Sequence, residues 1–238
     1  MNHRRALFFS SLIATCCSLL PFAPRSLYRL PIVLPAALEA RNLAKSYGSA
    51  PIFSGISVRV ETGLVAVAGR NGSGKTTLLK ILAGLLRADS GSVEVRQAGT
   101  PLSGERRRHA VGWAGPDLAF YEELTPRENL LFFRRAAGFP LADGEPERRL
   151  TDVGLRRDAF DLSVRALSTG MRQRLRLAFA ELFDPPILLL DEPMVGLDAA
   201  GRQIVSGLIA ARRSTGAVLL ASNDERDFVE PDQRLTLG

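Results

Sequence analysis

Cysteine, histidine and lysine are all scarce in this chain of 238 residues. The two cysteines, Cys16 and Cys17, are neighbours, so neither a disulfide framework nor a CxxC metal cage can be built from them. Two histidines, His3 and His109, are too few for a histidine-rich metal site. Only Lys45, Lys75 and Lys80 stand among 31 cationic residues, a bias read as genome composition and not as arginine-specific recognition. The net charge of +6 is also unevenly placed: Arg4, Arg5, Arg25 and Arg29 supply four of it, and no acid precedes residue 38. The remainder is nearly neutral, which argues against a nucleic-acid partner. After residue 37 no apolar run approaches the length needed to cross a bilayer. What is present is 46% hydrophobic and 24% charged residues, the balance of a folded domain, and the length allows one domain with a short appendage.

From Leu38 onward strand and helix patterns alternate. Ile56–Val60 alternates, Leu64–Ala68 is a short buried-strand run, and Lys75–Leu86 repeats apolar residues at helical spacing. Ser92–Arg96 alternates after a Gly91 turn, and Val111–Trp113 is a further short strand. Thr125-Pro126-Arg127-Glu128 then opens a more helical stretch, about 125–180, with a capping box and proline at the first helical position. A buried strand at Ile187–Leu190, a helix near Ala199–Arg213 and a strand at Ala217–Ala221 complete the reading. The expected fold class is α/β: a mostly parallel sheet flanked by helices, with an antiparallel β portion and a helical insertion.

Three segments carry chemistry. Gly69-Arg70-Asn71-Gly72-Ser73-Gly74-Lys75-Thr76 fits G-x-x-x-x-G-K-[ST] between a strand and a helix. Glycines let successive N–H groups converge on phosphate oxygens, and the helix, continuing through Thr77, aims its positive end there. Lys75 can reach the β- and γ-phosphates and Thr76 can ligate Mg²⁺, so this loop binds a nucleoside triphosphate. Ile187–Leu190 ends in Asp191 and Glu192, a strand-tip carboxylate for Mg²⁺ followed by a candidate general base. Leu167-Ser168-Thr169-Gly170-Met171-Arg172-Gln173-Arg174 precedes a helix expected to run to about Phe183, with Ser168 at its N-cap. By spacing alone it is either an anion site or an ordinary capped helix.

In this order, the phosphate loop, LSTGM and ILLLDEP resemble the ATP-binding subunits of ABC transporters across about residues 38–237. The LSTGM form is a variant of the family's LSGGQ signature found in exporters with short separate ATPase subunits. The resemblance implies a P-loop NTPase core of the ABC ATPase type, binding ATP and Mg²⁺. It implies a head-to-tail homo- or heterodimer in which Ser168, Gly170 and Met171 of one subunit close on the γ-phosphate held by the other. It also implies that Tyr47 in AKSYG stacks on adenine and that Asp198, in Gly196-Leu197-Asp198, crosses the dimer interface. The partner implied is a separate transmembrane permease, and the location the cytoplasmic face of the cell membrane. A non-transport or regulatory ATP-binding protein with little ATPase activity is the alternative.

Two positions depart from the family pattern. The Q-loop glutamine falls at Pro116, and no glutamine occurs between Gln97 and Gln173 to replace it. The switch histidine falls at Asn223, which keeps two donors and an acceptor but loses the ionisable ring. With Lys75, Asp191 and Glu192 retained, the expectation is an ATP binder with slow hydrolysis. Trp113, Phe120, Tyr121, Phe132 and Phe133 in the 112–135 region are either core or a permease-docking surface. Residues 1–37 read like a leader, with Arg4 and Arg5 before the apolar stretch Leu7–Leu20. Because the rest of the chain needs cytosolic nucleotide, that signal-like segment is read as lying upstream of the functional start.

Overall fold

The apolar runs at 64–68, 187–190 and 217–221 have no polar face, and a strand of that kind must be covered on both sides. The computed structural model describes residues 36–139 and 144–238, so the leader-like segment up to residue 35 lies outside the described residues. The first half comprises β1 (Ala36–Tyr47), β2 (Ala50–Val60), β3 (Gly63–Gly69), α1 (Lys75–Ala83), β4 (Ser90–Gln97), β5 (Thr100–Pro101), α2 (Gly104–Ala110) and β6 (Val111–Ala114). The second half comprises α3 (Pro126–Ala136), α4 (Glu145–Asp152), α5 (Thr169–Ala180), β7 (Ile187–Asp191), α6 (Ala199–Arg213), β8 (Ala217–Ala221) and β9 (Gln233–Leu237).

One sheet runs β6-β7-β8-β3-β9 with all neighbours parallel. The other is antiparallel, β2-β1-β4-β5. Strand periodicity divides the interior into two cores. Leu64, Ala66, Leu188, Leu190, Val218 and Leu220 face the layer built by α5, α6 and the helical insertion. Val65, Val67, Ile187, Leu189, Ala217 and Leu219 face α1 and the antiparallel sheet. The insertion is pinned to the parallel core by buried charge: Arg149 donates to Glu145 at 2.8 Å and Asp184 at 2.7 Å, and also to the Glu181 carbonyl.

Several elements differ from the sequence expectation. β1 begins at Ala36, which is buried, so the first strand enters two residues before Leu38. β2 starts at Ala50 and not Ile56, because its irregular register with β1 breaks the alternation. Gly84 in the left-handed conformation caps α1 after Ala83, short of Leu86, and α5 stops at Ala180, short of Phe183. β5, β9 and α2 were not expected. The capping box is as read: Thr125 Oγ1 accepts from the Glu128 N–H at 3.1 Å, and Glu128 Oε2 from the Thr125 N–H at 2.8 Å.

Candidate functional site

Parallel register decides which residues meet. Val67 lies opposite Ala221 and Asp191 opposite Ala221 from the other side. The peptides that follow β3, β7 and β8 therefore emerge together, bringing the phosphate loop, Asp191–Glu192 and Ser222–Asn223 to one end of the sheet. This is the carboxyl end, where open α/β sheets bind ligands.

The loop is shaped by close approach. Gly74 has φ +95°, and a Cβ there would lie 2.4 Å from Ile52 Cγ2 on the β1–β2 hairpin. A Cβ on Gly69 would lie 2.6 Å from the Leu237 carbonyl, whereas Gly72 faces open space. No side chain caps α1, so its first N–H groups are free for an anion. Lys75 is buried, and its Nζ donates to the carbonyls of Gly69 at 2.8 Å and Arg70 at 3.2 Å, and to Asn223 Oδ1 at 2.6 Å. Arg70 and Asn71 are exposed on the loop, and Thr77 is half-buried in the first turn of α1.

Thr76 Oγ1 donates to Asp191 Oδ2 at 2.6 Å. Burial pushes the Asp191 carboxyl above its ordinary range, against the opposing Thr76 hydrogen bond and Lys75 charge. Burial also raises the Glu192 carboxyl, against the Asn223 backbone N–H that donates to it. Glu192 sits at φ +51°, rare for a residue with a Cβ. Its N–H is held by the Ala221 carbonyl at 2.9 Å, and its Oε1 is buried without a partner. Ser222 Oγ, with one proton to give, sits 2.6 Å from Asp227 Oδ2 and 3.3 Å from Glu192 Oε2.

These residues fit a magnesium nucleotide. The Thr76 hydroxyl and Asp191 carboxylate are the hard oxygen pair a divalent ion takes, and buried Ser73 Oγ has no partner in the phosphate loop. Among the described residues no three His, Cys, Asp or Glu side chains form a metal cage. That suits an ion that draws its other ligands from phosphate and water.

The LSTGM segment lies elsewhere. Ser168 Oγ accepts from the Met171 N–H at 3.2 Å, and a Cβ on Gly170 would lie 2.7 Å from the Gly196 carbonyl. Asp198 caps α6 through the Gly201 N–H at 2.8 Å and takes Arg174 Nη2 at 3.0 Å. Among the described residues no hydrogen bond or ion pair joins Ser168, Gly170, Met171 or Asp198 to residues 69–76. Tyr47 is 55% exposed at the end of β1, with Lys45 Nζ 5.7 Å from its ring centroid.

Pro116 offers the site only its carbonyl, which accepts from Arg176 Nη2 at 2.8 Å. Trp113 is buried in the core, while Tyr121 is 46% exposed and stacks edge-on against Phe132 with centroids 4.7 Å apart. Sequence reasoning missed Gln173, Arg176, Ser222 and Asp227. Only their spatial neighbours reveal them.

A glycine loop feeding a helix, with a strand-end carboxylate bonded to the threonine after its lysine, defines a phosphate-loop nucleoside triphosphatase. The ABC transporter family model matches residues 53–195, more than half of the chain. The chain is 35% identical over 209 residues to the cytochrome c biogenesis ATP-binding export protein CcmA of Xylella fastidiosa, covering 87% of this chain and 92% of that protein. It is 30% identical over 198 residues to the linearmycin resistance ATP-binding protein LnrL of Bacillus subtilis, covering 81% of this chain and spanning 63% of that longer relative. A solved ATP-binding subunit of an ABC transporter superposes with TM-score 0.71 at 28% identity, over 84% of this chain and 85% of that one. A dimeric ATP-binding cassette in a post-hydrolysis state, with ADP and Pi, shares the fold at TM-score 0.70 and 22% identity, over 84% of this chain and 94% of that one. The chain belongs to the ABC transporter family, within it to the ATP-binding ATPase subunits.

Proposed function

We propose that this chain binds ATP with Mg²⁺, closes head-to-tail on a second ATP-binding subunit, hydrolyses the nucleotide slowly and so energises a separate permease from the cytoplasmic face of the membrane. The observation that carries the reading is the convergence of Lys75, Thr76, Asp191, Glu192 and Asn223 at one sheet end, through Lys75–Asn223 at 2.6 Å and Thr76–Asp191 at 2.6 Å. Lys75 exchanges its carbonyl acceptors for β- and γ-phosphate oxygens. The Thr76 hydroxyl and Asp191 would hold Mg²⁺, which when bound neutralises phosphate charge. Glu192 takes the proton of the attacking water at Oε1, the oxygen left without a partner. Water oxygen bonds to the γ-phosphorus as the bond to the bridging oxygen breaks, giving ADP and phosphate. The Asn223 amide contacts the γ-phosphate but cannot carry a charge, and losing that oriented cationic contact costs about 2–4 kcal/mol of barrier.

The separation of the two halves of the site within one chain supports the dimer. Among the described residues Ser168, Gly170 and Met171 make no hydrogen bond to the phosphate loop of their own subunit, and in the proposed dimer a second copy, or a relative of it, brings its loop to them. Tyr47 presents an exposed ring for adenine. Among the described residues no helix is long and apolar enough to cross a membrane; the separate permease would supply the spanning part. The edge formed by exposed Tyr121 and half-buried Phe132 is its docking surface; buried Trp113 belongs to the core.

Equilibrium dialysis tests the proposal. The chain takes up ATP with Mg²⁺, and Lys75→Ala loses at least about tenfold in affinity through the missing charge on the phosphates. Uptake by Lys75→Ala equal to that of the parent protein overturns the site assignment.

A further inference from the structure

We infer that Arg176 is a positioning residue: it ties the turn around Pro116 to the peptide that carries Glu192, through Gln173. The inference rests on Glu192 being the general base. Arg176 and Gln173 lie three residues apart on α5 and so share a helix face. Arg176 Nη2 donates to the Pro116 carbonyl at 2.8 Å, and Nη1 to Gln173 Oε1 at 3.1 Å. Gln173, 5% exposed, directs Nε2 at the Pro193 carbonyl, 3.2 Å away, with the Glu192 carbonyl at 3.4 Å. Each contact fixes the next. A guanidinium only donates, so it sets which end of the Gln173 amide is the oxygen, and the NH₂ end must then face the two carbonyls.

The arrangement is costly enough to need a reason. Arg176 Nε is buried without a partner, and a buried unsatisfied donor is destabilising. Burial and neighbouring Arg172 both press the guanidinium toward neutrality, opposed by Asp117 in the same turn. In return the Glu192–Pro193 backbone is held at both of its carbonyls while Glu192 keeps its left-handed φ of +51°. Loss of the relay frees that peptide to relax, and the carboxylate moves off the line of the attacking water. Pro116 has no side-chain hydrogen-bonding group, so the link between its turn and the site runs through a backbone carbonyl and an arginine planar enough to bridge it.

The test compares full-length Arg176→Ala, Arg176→Lys, Gln173→Ala and the Arg176→Ala/Gln173→Ala double variant in steady-state ATPase and ATP-binding assays. Arg176→Ala and Gln173→Ala each lower kcat about tenfold, the scale of a small misplacement of a reacting group, with the ATP Kd within about twofold of the parent. The double variant is no slower than the slower single, because both cut one relay. Arg176→Lys, which can satisfy one of the two acceptors, recovers part of the loss. A kcat within about twofold of the parent for Arg176→Ala, multiplicative losses in the double variant, or kcat and ATP affinity falling together would each overturn the inference. Should Arg176→Ala not fold, Gln173→Ala carries the same kcat-against-Kd test, since it leaves the Arg176–Pro116 bond in place. Glu192→Gln separates the two claims: if it hydrolyses normally, the general-base reading fails. If it is inactive while the relay variants match the parent, only the relay fails.

Discussion

Replacing Glu192 by glutamine removes one charge and almost no volume, and the site dictates how the amide must sit. Oε2 of the carboxylate faces Ser222 Oγ at 3.3 Å, and the carboxylate accepts the Asn223 backbone N–H. The glutamine oxygen therefore takes that side, and its NH₂ takes the place of Oε1, which has no protein partner. Two stability effects oppose each other. Burial already disfavours the charged carboxylate, so neutralising it helps, while a buried NH₂ without an acceptor costs about 1–3 kcal/mol. The two effects leave a net of about 1 kcal/mol, so the melting temperature moves by no more than roughly 2–4 °C in either direction for a chain of this size. Hydrolysis behaves differently. An amide takes no proton from water, and a positioned general base contributes about 10²- to 10⁴-fold, or roughly 3–5 kcal/mol of barrier. Turnover at saturating ATP should fall by that factor while nucleotide affinity holds, and size-exclusion chromatography with ATP and Mg²⁺ should show a long-lived dimer. Turnover within about threefold of the parent, or an unchanged dimer lifetime, refutes the assignment.

Restoring the two departed side chains gives the converse result: Pro116→Gln/Asn223→His raises ATPase turnover at least about tenfold, part of the value of one oriented transition-state contact, and equal rates in a phosphate-release assay would dismiss the slow-hydrolysis reading. Gly74→Val places a Cβ 2.4 Å from Ile52 Cγ2 at φ +95°; it should abolish ATP uptake in dialysis and destabilise the fold by more than about 1 kcal/mol in urea unfolding. The Asp224 carboxyl is drawn down from 3.8 to about 2, first by the Arg226 side chain and then by the Arg226 backbone N–H. Its folded value lies below its unfolded one, so its stabilisation is complete above the ordinary carboxylate range and is lost as pH falls from about 4 to 2. In thermal melts the gap between the parent and Asp224→Asn should close over that window, and a gap constant with pH would contradict the ion pair.

What could be read from the sequence was what a short window determines. The phosphate loop announces itself because its glycines, lysine and threonine act within eight consecutive residues, and β3, β7 and β8 because their apolar runs admit no other burial. β1 was opaque for a local reason: its register slips between Ala40 and Leu43 and again between Leu43 and Lys45, so inward and outward residues stop alternating. β9 is short, and four of its five residues are at least partly exposed; only pairing with β3 makes it a strand. The relay from Pro116 through Arg176 crosses 60 residues of sequence, and Ser222 meets Glu192 across 30. No periodicity encodes such pairs, because the fold alone sets their distance.

The two departures from the family pattern then share a physical explanation. At Pro116 the side chain contributes nothing polar, yet its carbonyl is bound by Arg176 at 2.8 Å. At Asn223 the ionisable ring is gone, yet the backbone N–H still holds the Glu192 carboxylate and the amide oxygen still meets Lys75 at 2.6 Å. In both places the main chain keeps a contact at the site that does not depend on which residue stands there. Register explains why: Asp191 opposite Ala221 fixes the peptides beyond both strands, so a substitution at 223 changes the chemistry offered to the γ-phosphate without moving the base. Under the proposed function, binding and closure are therefore expected to be kept where the rate is not. On this ground Pro116→Gln alone should leave ATP affinity within about twofold of the parent, since backbone contacts outlast the side-chain change. A tenfold change in affinity would mean that the proline itself shapes the nucleotide site, and the argument from backbone contacts would fall with it.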